Sequence, residues 1–216
     1  MSNAQKFNLT KYTHKTMKPI QRILTTFFAA ISLITFCINA NAGGHDNWKL
    51  ITDESAISFV SIKKGSIAEA HTFTDFSGVL DHGKASVTIK ADSIDTMVPI
   101  RNERAREFLF ETGVYPTISI KSDVTEVMKS AETGSTALLE VPATLSLHGV
   151  EKDISLNVSL SQNSKTTLVV ASTKPVIIKA ADYGMEEGVL KLAELVGGIP
   201  IANAVPINFV LTFKKQ

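Results

Sequence analysis

Four histidines and one charged run are the side chains whose types could carry chemistry. His45, His71, His82 and His148 lie beyond residue 42 and supply enough imidazoles for a metal. No two of them stand as His-x-His, His-x-x-x-His or His-Glu-x-x-His, the spacings that put two ligands on one face. His82 sits in Asp81-His82-Gly83 and reads as a turn residue, and His148, before Gly149, is placed to hydrogen-bond turn backbone. No metal site is therefore expected. Nucleophilic catalysis would want a Ser or Cys beside a base, often on a Gly-flanked turn. No Gly-x-Ser-x-Gly occurs and Cys37 is the single cysteine, so neither catalytic residues nor a cofactor are expected.

The charged run is Arg101, Glu103, Arg104, Arg106, Glu107 and Glu111. On a helix, Glu103 would reach Arg106 and Arg104 would reach Glu107 as exposed pairs worth a few tenths of a kcal/mol each. The second reading gives an arginine at a pocket mouth the task of holding a polar ligand end through its planar fork. Arg101 is the candidate for that task.

The elements that must position these groups are mostly strands. Ile154, Leu156, Val158 and Leu160 share one parity, with Ser155, Asn157, Ser159 and Ser161 on the other, which is the pattern of a half-buried strand. Val205, Ile207, Phe209, Leu211 and Phe213 repeat it, as do Val87 and Ile89. Further strands are expected at Ser55 to Ser61, Ala68 to Leu80, Thr117 to Val127, Ala137 to Leu147 and Thr166 to Ala180, eight in all. Short turns such as Asp81-His82-Gly83 and Glu132-Thr133-Gly134 make neighbours antiparallel. Pro142 and Pro175 require edges, bends or bulges, because proline cannot donate to a ladder. The fold class is mainly β, an eight-stranded antiparallel barrel able to hold one small ligand, with one or two short helices, at Val98 to Phe110 and Glu186 to Val196.

The first 42 residues differ from the rest. They carry Lys6, Lys11, Lys15, Lys18 and Arg22 with no acid, then an apolar run from Ile23 to Ile38 and Ala40-Asn41-Ala42. This is the pattern of a secretory signal peptide, residues 1–42, cleaved before Gly43. The run is shorter than the ~20 residues of a membrane span. Residues 43–216 then form one domain with 17 of the 22 basic and all 21 acidic residues, a formal charge of −4. A weakly acidic surface without basic runs argues against nucleic acid as a partner. Trp48, Tyr115 and Tyr183 are too few for the aromatic girdles of an outer-membrane barrel, so a barrel that does not span a membrane is expected. Its aromatic residues would line a ligand channel or build an ordinary filled core equally well.

Several short segments in a fixed order go further: Phe76-Ser77-Gly78, Ser93-Ile94-Asp95-Thr96, Arg101-Asn102, Tyr115-Pro116-Thr117, Leu145-Ser146-Leu147-His148-Gly149-Val150 and Asp182-Tyr183-Gly184-Met185. Together they resemble the YceI-like family over nearly the whole of Trp48 to Lys214. The resemblance implies a lipocalin-like barrel in the bacterial periplasm whose elongated apolar channel binds a long-chain isoprenoid, a quinone, a prenyl phosphate or another amphipathic lipid. Some members are dimers, so a homodimer is one expectation. The ligand-binding residues it points to are Phe59, Phe76, Ile89, Arg101, Phe108, Phe110, Ile120, Leu147, Leu156 and Phe209. Two departures bear on the head group: Asn102 stands where many members have Asp, and Ile199-Pro200-Ile201 with its preceding helix replaces a shorter link. The competing readings are a metal-dependent or lipid-modifying enzyme using His71, His148 and nearby carboxylates, and an interaction module with a filled barrel.

Overall fold

The computed structural model describes residues 47–130 and 132–216; the expected leader, residues 1–42, lies outside them. Twelve β-segments form one sheet. They are β1 (Asn47–Leu50), β2 (Ala56–Lys63), β3 (Ile67–Phe73), β4 (Phe76–Asp81), β5 (Lys84–Lys90), β6 (Ile94–Asp95), β7 (Thr117–Asp123), β8 (Thr136–Leu147), β9 (Val150–Ser164), β10 (Thr167–Ser172), β11 (Val176–Lys179) and β12 (Ala204–Lys215).

Pairing reduces the twelve to eight staves. β1 and β2 lie end to end along one edge of β12, from Trp48↔Lys215 to Phe59↔Ile207. A 3-10 turn at Thr52–Glu54 interrupts them, and the Ile51 N–H carries the ladder across by donating to the Thr212 carbonyl at 2.8 Å. β3 and β4 form the next stave, on β2 and β1 respectively. β5 and β6 follow, then β7, β8 and β9 singly. β10 and β11 share the other edge of β12. Every pairing is antiparallel and β12 bonds back to the first stave, so the sheet closes into an eight-stranded barrel of the expected class.

Local chemistry sets the joints. The β4–β5 and β8–β9 turns each place two residues in the left-handed region, His82 with Gly83 and His148 with Gly149, the geometry that matches the twist of a two-residue hairpin. Pro175 falls in the gap between β10 and β11. Pro142 lies inside β8, but the β7 ladder runs only from Ser119↔Ser146 to Lys121↔Thr144, so its missing N–H costs that ladder nothing. The apolar parity of β5, β9 and β12 points inward and the Ser-rich parity of β9 outward, as the alternation predicts.

Three helices join staves: α1 (Pro99–Arg104), α2 (Thr125–Ser130) and α3 (Glu186–Leu195). Two expectations need correction. The strand expected over Thr117 to Val127 stops at Asp123, because the Asp123 carboxylate accepts both the Thr125 N–H at 3.0 Å and its hydroxyl at 2.6 Å. That Asx turn leads into α2 instead. The single helix expected over Val98 to Phe110 is α helical only to Arg104 and widens into a π turn over Ala105–Leu109. This π turn packs on α3 through Gly188, where a Cβ would stand 2.4 Å from the Phe108 carbonyl oxygen. No described helix is long and apolar enough to cross a membrane.

Candidate functional site

The inward residues do not fill the barrel. A main chamber of about 170 Å³ is walled by β-strand side chains from all round the sheet, among them Ile89, Ile120, Leu145, Leu156, Leu168 and Phe209. Ser122 is the one polar side chain among its lining residues. Val124, Val127 and Met128 also line it, so the α2 segment closes part of the wall. A second chamber of about 100 Å³ lies between the sheet and the helices. Phe59, Leu109, Phe110, Met185 and Val189 line it, and Phe73, Leu147, Ile178 and Ile207 belong to both chambers. These four side chains are the boundary that the two chambers share.

Beyond Phe59 the inner face turns polar. On the β2–β3 ribbon Phe59 pairs with His71 and Ser61 with Glu69, and alternation carries all four to one face. His71 is 6 % exposed. Its Nε2 is 2.7 Å from the Ser61 hydroxyl and its ring centroid 5.1 Å from that of Phe59. Glu69 accepts from Lys63 Nζ at 2.8 Å and from Arg101 Nη2 at 3.3 Å, with Arg101 Nη1 within ion-pair distance at 3.3 Å. The Lys63 hydrogen bond, with the Arg101 charge, holds the Glu69 carboxyl below its ordinary range. Burial, then the Arg101 charge, pushes the His71 imidazole below its own.

The α1 end of this region is tied by Asn102. Its side-chain oxygen accepts the Thr96 N–H at 2.8 Å and the Thr96 hydroxyl at 2.6 Å, and its amide donates to Asp95 at 3.3 Å. Asp95 also accepts the Met97 N–H, and that bond, then the Asn102 amide, lowers its pKa. An amide can serve both neighbours here. An aspartate at 102 would keep the Thr96 contacts but face the Asp95 carboxylate.

Residues 48–213 match the YceI-like domain. The chain belongs to the YceI-like family. A polyisoprenoid binding domain from Saccharophagus degradans, implicated in plant cell wall breakdown, is 34% identical, with 78% of this chain and 98% of that one aligned at a TM-score of 0.75. BcnA of Burkholderia cenocepacia shares the fold at 19% identity, with 76% and 98% coverage and a TM-score of 0.57. No curated protein matches the chain.

Within this YceI-like barrel the residues expected to bind ligand fall into two groups. Ile89, Ile120, Leu147, Leu156 and Phe209 line the main chamber, and Phe59, Phe110 and again Leu147 line the second. Phe76, Arg101 and Phe108 line neither. Phe76 is buried in the core cluster, Phe108 is half-buried and presents its carbonyl to Gly188, and Arg101 bonds Glu69. The helix pairs expected from the charged run are replaced by longer reaches: Arg104 donates to the Leu195 carbonyl of α3 and Arg106 to the Asp92 carbonyl.

His148 bonds turn and helix partners, Nε2 to Glu111 at 2.7 Å and Nδ1 to the Tyr183 carbonyl at 3.2 Å. Its neighbour Gly149 lies under the Tyr115 ring, 2.8 Å from where a Cβ would be, which explains why Tyr115 and the Leu147-His148-Gly149-Val150 hairpin belong to one motif set. Among the described residues no three of His, Cys, Asp and Glu gather as a metal would require. The β3 parity Phe73, His71, Glu69 was the signal for the polar step: it places a histidine and a glutamate on the inward face of a strand that begins apolar.

Proposed function

We propose that this YceI-like protein is a periplasmic carrier, exported by its N-terminal leader, that shields a long-chain isoprenoid or similar amphipathic lipid inside the barrel and does not convert it. The observation that carries the reading is the lumen itself, two adjoining chambers with a nearly unbroken apolar wall. A filled interaction module would have packed that space, since interiors are ordinarily close-packed. The mechanism is burial: apolar area removed from water is worth ~25 cal/mol per Å², so an isoprenoid tail binds without many polar contacts. The relative from Saccharophagus degradans, described as polyisoprenoid binding, supports the cargo class.

The test is mass spectrometry of the protein purified from the periplasm under native conditions, before and after organic extraction. Release of one discrete long-chain isoprenoid at near-stoichiometric amount supports the carrier and names the cargo. A protein that is lipid-free on isolation and takes up no isoprenoid in vitro overturns it. Edman sequencing of the same sample checks the start at Gly43.

A further inference from the structure

Among the described residues one buried side-chain polar atom has no partner. Nδ1 of His71 is enclosed and unbonded, while Nε2 is engaged by Ser61. Either tautomer leaves a ring nitrogen unsatisfied, as a bare acceptor or as an N–H without an acceptor, and native interiors seldom keep such an atom without a reason. Its position is specific. The Phe59 ring touches the His71 ring and also lines the second chamber, so His71 is the first hydrogen-bonding side chain beyond the apolar wall on this ribbon.

The groups behind it narrow the chemistry. Lys63 and Arg101 both hold Glu69, so an anion arriving here meets a carboxylate as well as the two cations. A phosphate or diphosphate is poorly served by that set. An uncharged oxygen, which both donates and accepts or only accepts, needs one ring nitrogen and a hydroxyl, and His71 with Ser61 offers both.

We infer that His71 Nδ1, with Ser61 behind it, hydrogen-bonds the uncharged oxygen head group of the lipid held in the two chambers, an alcohol, phenol or quinone carbonyl rather than a phosphate. Phe59 is the side chain that the head group displaces to reach it. The depressed basicity of the buried imidazole agrees with a neutral ring. This inference rests on the carrier reading.

The test measures affinity of the delipidated protein for geranylgeraniol, a naphthoquinone with the same tail, geranylgeranyl diphosphate and squalene, which has a tail and no head. The wild type is expected to prefer the alcohol and the quinone over the diphosphate. His71→Phe is expected to lower the alcohol-to-squalene affinity ratio about tenfold, the worth of one well-made hydrogen bond to a buried partner. Nitrogen-15 NMR of the wild type gives a second readout, a shift of the His71 Nδ1 resonance on adding geranylgeraniol but not squalene. Squalene binding with an unchanged ratio in His71→Phe, an unmoved Nδ1 resonance, or preference for the diphosphate overturns the head-group site and leaves the carrier standing. Failure of every ligand, squalene included, overturns the carrier and this inference with it.

Discussion

Nε2 of His148 stands 2.7 Å from a carboxylate oxygen of Glu111, and both residues hold a left-handed backbone, at φ 51° and 45°. The pair ties the end of the π turn to the β8–β9 hairpin, while the Nδ1 contact to the Tyr183 carbonyl ties the same hairpin to the segment before α3. Tyr115 packs on the imidazole with ring centroids 4.2 Å apart. One side chain therefore joins three connections that bound the second chamber.

His148→Ala is expected to destabilise the barrel by about 1–2 kcal/mol, the range for losing one hydrogen bond from the ring together with its packing on Tyr115. Glu111 is half exposed, so its ionic contribution is small. Urea unfolding should show a lower midpoint with an unchanged m-value. An unchanged midpoint would mean that the hairpin holds the π turn by packing alone.

Acid sensitivity follows from His71. Its folded pKa lies below the ordinary value, so between the two the unfolded chain binds a proton that the folded protein does not. The stability this group contributes is complete above about pH 6.5, falls as pH drops from there through the folded value, and then levels off. Urea titrations at pH 8, 6.5 and 5 should show the loss in the wild type. It should be smaller in His71→Phe, in which the carboxylates titrate alike. Parallel curves for the two proteins would exclude His71 as the source.

Leu156 faces the lumen and is only half-buried although it points inward, as expected of a wall beside empty space. Leu156→Trp should occupy part of the main chamber at a stability cost within about 1 kcal/mol, because the added ring meets free volume instead of packed atoms. Circular dichroism should remain that of the wild type, while lipid released on extraction falls. Full lipid loading in a folded Leu156→Trp protein would place the cargo elsewhere.

Gly188 is where α3 and the π turn come closest. Gly188→Ala drives a methyl against backbone, the Phe108 carbonyl oxygen, and is expected to cost about 1–3 kcal/mol. Hydrogen exchange should show protection lost in α3 and around Phe108 while β8 and β9 are unaffected. Retained protection in α3 would show that the helix can shift without loss.

The barrel was legible because each stave has one face toward an apolar interior. In β9 and β12 that constraint writes a strict alternation, and all nine apolar residues named from it line a chamber. What was hidden depends on partners distant in sequence. The breaks that divide β1 from β2 and β3 from β4 are defined by ladders to other staves, and the end of β7 by a carboxylate that caps the following turn. Arg101 was singled out for its charge, but its partner Glu69 lies on another element, and no helix spacing reveals that. Phe108 fits an apolar helical face, yet the π turn alters the angular spacing on which that assignment relied. The polar step at His71 needed the β2–β3 register before Ser61, Glu69 and the histidine could be placed together.

The closing strand has a consequence for how the lumen is made. β12 bonds to β1 and β2 on one edge and to β10 and β11 on the other, so Trp48 meets Lys215 across almost the full length of the domain. Contacts of such separation slow folding, because a long loop must close before they form. Until β12 seats, the other staves make an open trough rather than a tube. Such a trough would admit a long tail sideways, without threading through either end. Loading during folding and loading of the finished barrel are therefore different reactions, since the second must pass an end of the tube or part a seam between staves.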